Sequence, residues 1–499
     1  MASSSPRNQL QVQVQPHFVL VPLMAQGHMI PMTDIATLLA HRGIFVTFVT
    51  TPYNAIRFES FFARAKQSAL PISLLQIPFP CLQVGLPLGC ENLDALPSRA
   101  LLRNFYEALS LLQQPLEQFL DHHLLPPTCI VSDKYLYWTS QIAHRFRCPR
   151  VIFHGTGCFS LLSTHNLQLY SPHTSVDSDK QPFLVPRLPH KIEITKSQLP
   201  GSLIKSPDFD DIREKIREAE QEAYGVVVNS FTELEDGYSE IYQRQINKKL
   251  WCVGPVSLCN KTSSEKYNRG NRAPIKQSHC LNWLDSMIPR SVLYICLGSL
   301  CRMIPSQLIQ IGQSLESSNR PFIWIIKNRD ENCSELEKWV SEEGFEEKIK
   351  GRGLIIRGWA PQLMILSHPS IGGFVTHCGW NSTVEGICSG VPMITWPQFA
   401  EQFLNEKLVV EVLKIGVRIG VEGAVRWGEE ERGGVLVKKE AIEEAIEMAM
   451  DGGEGEERRR RSRALSKMAS KAMENGGSSH INFSLFIQDV MAQSSLLNP

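Results

Sequence analysis

Short apolar runs rich in Val, Ile and Phe recur along this chain, each followed by a stretch with the spacing of an amphipathic helix, and this alternation restricts the fold more than any other feature. Strands that are apolar at every position need helices over both faces of their sheet, and parallel neighbours need a crossover of helical length. The first half predicts strands at Phe18–Leu23, Ile44–Thr50, Ile72–Ile77, Cys129–Ser132, Arg150–Phe153, Gly225–Asn229 and Leu250–Val253, with helical patterns at Pro31–His41, Asn54–Gln67, Ser98–His122 and Trp138–Phe146. The run Cys259–Gln277 (CNKTSSEKYNRGNRAPIKQ) has almost no apolar content and reads as an exposed linker. Beyond it, strands are predicted at Ser291–Gly298, Pro321–Lys327, Gly353–Arg357, Ile371–Thr376 and Val391–Thr395, and helices at Pro305–Ser318, Pro361–Leu366 and Ser382–Cys388. The expectation is an α/β protein with two Rossmann-like doubly wound domains facing across a cleft. These are residues 1–258, a linker over 259–277, residues 278–475, and a final helix over 476–499 that returns to the first domain.

With 499 residues the chain exceeds one ordinary core. Lys+Arg and Asp+Glu number 51 each, so no net field draws a polyanion or an anionic membrane, which argues against nucleic acid as the main partner. The basic cluster Arg458–Arg461 with Arg463 follows Glu454, Glu456 and Glu457 within a helical pattern and reads as a solvated helix face. Met1–Pro16 is polar and Gln-rich, and the apolar run after it contains Pro22 and is one strand long, so it reads as a strand and not as a signal peptide. No stretch reaches the ~18–20 apolar residues of a membrane span. Thirteen scattered cysteines without a C-x-x-C pair fit reduced thiols in a soluble cytosolic protein, expected to act as a monomer. Asp177-Ser-Asp179 and Asp208-Phe-Asp210 have the spacing of a D-x-D metal site but lie in polar loop sequence; they read as coincidence, and no metal or other cofactor is expected.

The densest run of unusual residues is Trp359 to Gln402, WAPQLMILSHPSIGGFVTHCGWNSTVEGICSGVPMITWPQFAEQ. A predicted strand runs into His377-Cys378-Gly379-Trp380-Asn381-Ser382, where a helix begins with Asn381 or Ser382 as its expected N-cap. Such a strand-to-helix turn is an anion site, since free backbone N–H groups and the helix dipole favour phosphate. His377 can add a hydrogen bond or a charge, the indole of Trp359 can stack on a base, and Glu385 can accept from a ribose diol.

At this spacing the run resembles the signature box of plant secondary-product UDP-glycosyltransferases. W-A-P-Q, I-L, H, G-x-F, H-C-G-W-N-S, E, G-V-P, W-P and a terminal E-Q all stand in register over 44 residues. The resemblance spans most of the chain, more loosely in the first half. It implies a GT-B fold and the following roles. Trp359 stacks on uracil and the Ala360 backbone pairs with it; Gln362 and Glu385 hold the ribose; His377, the Trp380 backbone, Asn381 and Ser382 hold the diphosphate, joined by Ser299 after the first strand of the second domain; Glu401 and Gln402 bind the sugar hydroxyls. In this family a terminal Gln goes with glucose, whereas a terminal His accompanies galactose in some members.

Glycosyl transfer to a hydroxyl needs a base. His28, in Gln26-Gly27-His28-Met29-Ile30-Pro31, sits just past the first strand and ahead of a helix expected to open near Pro31; Asp133 directly follows the fourth strand. In a parallel sheet both project from the carboxyl edge, where an Asp can orient the imidazole and stabilise its protonated form. Their placement matches the family's catalytic His and Asp, with one departure: Lys134 follows Asp133 where an apolar residue is commoner. The resemblance implies one inverting displacement, from UDP-glucose to a β-glucoside, without metal.

The acceptor falls to Phe79–Ser98, Lys134–Trp138 and His154–Phe159, which mix Leu, Phe, Tyr and Trp with few charges and suit a bulky apolar aglycone. GHMIPM, LPLGCENLD and VIFHGTGCFSLL resemble a subgroup acting on triterpenoids, steroids, flavonoids and cytokinins. Alternatives are another UDP-sugar, a cytokinin or phenolic acceptor, or a carboxyl in place of the hydroxyl. A sugar-nucleotide epimerase or dehydrogenase would need a Gly-rich dinucleotide turn and usually Y-x-x-x-K, and none of the ten tyrosines has Lys four residues on. A non-catalytic UDP-sugar binder would not need both His28 and Asp133.

Overall fold

The computed structural model describes residues 15–327, 333–425, 429–430 and 434–498; most of the polar Met1–Pro16 stretch lies outside the described residues. The chain first lays down β1 (His17–Val21), β2 (Phe45–Thr50), β3 (Ile72–Gln76), β4 (Cys129–Asp133) and β5 (Arg150–His154). A small antiparallel pair follows, β6 (Phe183–Leu184) and β7 (Glu193–Ile194), and then β8 (Gly225–Val228) and β9 (Lys249–Cys252). All but β6 and β7 join one parallel sheet in the order β3-β2-β1-β4-β5-β8-β9. Every residue of β1, β4, β5 and β8 is buried, which is why these segments read as continuous Val/Ile runs without alternation.

A second parallel sheet holds β10 (Val292–Cys296), β11 (Phe322–Ile326), β12 (Gly353–Arg357), β13 (Ile371–Thr376), β14 (Met393–Thr395) and β15 (Gly416–Arg418), in the order β12-β11-β10-β13-β14-β15. Each sheet reverses its order once, between β1 and β4 and between β10 and β13. Loops leaving adjacent strands diverge there and open a crevice at the carboxyl edge, the ligand position of doubly wound folds. Helix Ser478–Leu497 closes over the first sheet: Phe486 packs edge-on against Phe18, and Asp489 takes the indole N–H of Trp251 at 3.1 Å and the ammonium of Lys249 at 2.6 Å.

The structure departs from the sequence reading at several places: β15 was not predicted, and the helices expected over Asn54–Gln67 and Ser98–His122 are each divided into shorter ones. The helix after β1 starts at Gln26, not near Pro31, so His28 lies in its first turn. Pro31 has no N–H for the carbonyl of Gly27, four residues back. That carbonyl instead accepts the Asn381 side-chain amide at 2.5 Å from the second half of the chain. The polar segment 259–277 is not simply exposed. It forms a short helix, Ser263–Tyr267, and buries Arg269, a burial possible because two carboxylates face the guanidinium. The helix after β13 is N-capped by Gly379 rather than by Asn381 or Ser382, and no side chain caps it. Arg458 and Arg459 pair with Glu454 and Glu456 on their own helix, yet their guanidinia also donate to the carbonyls of Met448 and Met450 that end the preceding helix.

Candidate active site

The two crevices face each other, and the first holds the His–Asp pair. His28 Nδ1 lies 2.5 Å from Asp133 Oδ2, and Asp133 Oδ1 accepts the backbone N–H of Tyr135 at 3.1 Å. Asp133 is the last residue of β4, fully buried, whereas His28 keeps 24% of its side-chain surface open. With Nδ1–H donated to the carboxylate, Nε2 carries the lone pair that can take a proton. Burial alone would lower the His28 pKa; the charge and hydrogen bond of Asp133 outweigh it, Glu401 adds to them, and the net shift is upward. Lys134 does not take the carboxylate from His28: its ammonium sits 5.5 Å over the ring of Tyr135.

Glu401 precedes helix Gln402–Lys407 and reaches the same space from the opposite half. Asn405 holds it, donating to Glu401 at 3.3 Å and to the Cys378 carbonyl at 2.8 Å while accepting from Ser160 at 2.7 Å. Gln402 departs from its expected use. Its Oε1 accepts the backbone N–H groups of Gln398 at 2.8 Å and Phe399 at 3.1 Å, so only the amide NH₂ remains to address a sugar hydroxyl.

At the second crevice His377 stands between Gly298 and Gly379, where a Cβ on either would overlap its ring. Gly298 also needs the left-handed backbone (φ 79°), and half-buried Ser299 follows it. Burial, helped by the charge of Lys327, pushes the His377 pKa down to about 3, so the imidazole is neutral and offers a hydrogen bond, not a charge. Lys327, just past β11, supplies the positive charge here; the sequence reading did not weigh it. The uncapped N-terminus at Trp380–Asn381–Ser382 adds its dipole.

The Trp380 side chain leaves this site altogether. It crosses to the first half, donates to the Asn229 carbonyl at 2.9 Å, and fits only because Gly157 has no Cβ, which would lie 2.5 Å from the ring. Asn381 likewise spends its amide on Gly27 and keeps Oδ1 unpaired. Gln362, Ser382 and Glu385 do come together: Gln362 Nε2 donates to Ser382 Oγ at 3.1 Å and to Glu385 Oε2 at 2.8 Å. Trp359 is half-buried two residues past β12, its indole N–H without a partner, and Ala360 is buried beside it.

One of the loops expected to meet the acceptor, His154–Phe159, starts at a polar cluster. His154, at the end of β5, lies with Nε2 3.1 Å from Glu220 Oε1. Burial opposes ionisation of Glu220, but Lys134 and His154 hold its carboxyl below the usual range. Glu220 was missed because its helix, DDIREKIREAEQE, reads as an ordinary charged surface helix. Its position is set by buried Arg150, which donates to the neighbouring Ala219 carbonyl at 2.8 Å.

Comparison with known proteins agrees with this geometry. Residues 15–258 match the family described as glycosyltransferase, N-terminal domain, and residues 268–421 match UDP-glucoronosyl and UDP-glucosyl transferase. UDP-glycosyltransferase 73D1 of Arabidopsis thaliana is 57% identical over 495 residues, covering 96% of this chain and 98% of its own. The crystal structure of UGT73P12 from Glycyrrhiza uralensis, complexed with glycyrrhetinic acid 3-O-monoglucuronide, superposes with a TM-score of 0.88 at 38% identity over 97% of each chain. The structure of Phytolacca americana UGT2 with UDP-2fluoro-glucose and pterostilbene gives 0.75 at 25% identity, covering 95% of this chain and 99% of that one. Two facing Rossmann-like sheets and full-length identity of this order make the chain a member of the plant family 1 UDP-glycosyltransferases.

Proposed function

We propose that this glycosyltransferase is an inverting O-glucosyltransferase that moves glucose from UDP-glucose to a hydroxyl of a small, largely apolar plant metabolite such as a triterpenoid, steroid or flavonoid. The observation that carries the mechanism is the 2.5 Å contact of His28 with Asp133, across the cleft from Glu401. His28 Nε2 takes the acceptor proton as its oxygen attacks the anomeric carbon, the bond to UDP breaks, and the α-linked sugar becomes a β-glucoside. Asp133 stabilises the imidazolium. The leaving diphosphate meets the helix N-terminus at Trp380, the neutral His377 and the charge near Lys327. Uracil is assigned to Trp359 and Ala360, the ribose to Gln362 and Glu385, and Ser299, Asn381 and Ser382 to the phosphates. Incubating the purified protein with UDP-glucose and a panel of plant metabolites, read by mass spectrometry, should yield a hexose adduct; hydrolysis of UDP-glucose without any adduct would refute acceptor transfer.

For the donor, the support is Gln402 beside Glu401. Gln402→Glu keeps an oxygen for the Gln398 and Phe399 N–H groups but removes the donor NH₂, so glucose transfer should fall by about one to two decades while affinity for free UDP holds. Equal kcat/KM with UDP-galactose, UDP-xylose or UDP-glucuronate would rule out the glucose preference. For the metal, the leaving-group charge is already assigned to protein groups, so EDTA should leave most turnover intact. A large loss restored by Mn²⁺ would return attention to Asp177–Asp179 and Asp208–Asp210.

A further inference from the structure

Arg269 belongs to the polar segment between the two sheets, yet its guanidinium is buried between two carboxylates. Its Nη1 lies 2.5 Å from Glu385 Oε1, and its Nε and Nη2 lie 2.9 and 2.8 Å from Asp34 Oδ2. The three side chains are 7%, 5% and 4% exposed, and Asn260 completes the group by donating to Asp34 Oδ1 at 2.8 Å. Glu385 belongs to the second half of the chain and Asp34 to helix Gln26–Ala40, which also carries His28. The next residue extends the link. Gly270 adopts φ 88°, and a Cβ there would lie 2.7 Å from the Trp359 ring and 2.9 Å from Ile30. One short stretch of linker therefore touches a nucleotide-side aromatic, a nucleotide-side carboxylate and the His28 helix.

We propose that Arg269 is a positioning residue that orients Glu385 for the donor ribose and ties it to the helix of His28. The inference rests on the assignment of Glu385 to the ribose. Each Glu385 oxygen already takes one hydrogen bond, Oε1 from Arg269 and Oε2 from Gln362 at 2.8 Å. Each keeps a second lone pair, and the two together match a vicinal diol. The guanidinium fork fixes the carboxylate plane and supplies its counter-charge, as Lys, with a single point of attachment, does not.

The test compares binding of UDP and 2′-deoxy-UDP by calorimetry, beside thermal melting, in the wild type, Arg269→Met, Arg269→Lys and Glu385→Gln. The wild type should prefer UDP by about tenfold, one charged hydrogen bond, and that preference should shrink to about twofold or less in Arg269→Met. Arg269→Lys, which keeps the buried charge and decides the matter if the Met variant does not fold, should lose part of the preference. A lower melting temperature with an unchanged UDP preference in the Arg269 variants means that Arg269 only braces the fold, and overturns the proposal. Should Glu385→Gln also keep the full preference, the ribose assignment itself fails and takes this inference with it; loss in Glu385→Gln alone overturns the proposal for Arg269 and leaves the ribose assignment standing.

Discussion

His28→Ala is expected to lower kcat by roughly 10²–10⁴-fold, the usual span of general acid–base catalysis, while affinity for UDP stays close to that of the wild type. The separation follows from where the groups lie. His28 and Asp133 belong to the crevice between β1 and β4, whereas His377, Gln362 and Glu385 belong to the crevice of the other sheet. Removing the imidazole also removes the only hydrogen bond that Asp133 Oδ2 makes among the described residues, leaving a buried carboxylate with the Tyr135 N–H as its partner. Thermal melting should accompany the kinetics so that loss of fold is not read as loss of base. Near wild-type turnover on a free-hydroxyl acceptor would show that His28 is not the base.

Asp133→Asn tests the same pair through pH. The base must be neutral to accept a proton, so kcat/KM falls on the acid side as pH drops through the His28 pKa. Asp133 holds that pKa above the ordinary histidine value against burial, so the acid limb of the wild type should lie above about pH 6.5. Replacing the carboxylate with an amide removes the raising charge and leaves burial and Lys134, both of which lower it. The limb should therefore move to lower pH, and kcat should drop by about 10²-fold or more because the imidazolium formed in the reaction has lost its counter-charge. A variant with reduced kcat but an unmoved acid limb would mean that Asp133 serves the fold and not the base. Glu401 still raises the His28 pKa in this variant, so the expected shift is partial.

Every strand of the two large sheets but β15 was legible to within two residues at each end, because parallel strands covered by helices on both faces are largely apolar; β15, only three residues long and ending in an exposed Arg418, carries too short an apolar run to stand out. The proximity of His28 and Asp133, 105 positions apart, was legible for a topological reason: both leave the carboxyl edge of a parallel sheet. The signature run showed which residues to expect near the nucleotide but not what each side chain holds. Asn381 and Trp380 turn towards Gly27 and Asn229, and the Gln402 carbonyl is spent on its own loop. Helix entry at Gln26 was hidden because Pro31 is an ordinary first-turn residue in sequence, and the partner for the carbonyl it frees lies 354 positions away.

Fold class, family pattern and the groups able to do the chemistry can all be read along the chain. Periodicity and motif spacing are local properties, and the hydrophobic effect acts on them without reference to a distant partner. How those groups are charged and aimed depends on folding. Arg269 lies in a segment that composition marks as exposed, and it is buried because Asp34, 235 residues before it, and Glu385, 116 residues after it, arrive on its two sides. His377 is neutral because the fold desolvates it beside Lys327, and Glu220 is ionised because the fold sets Lys134 and His154 against it. Coulomb energies and desolvation depend on distance in space and on what excludes water, and neither is a property of positions along a chain.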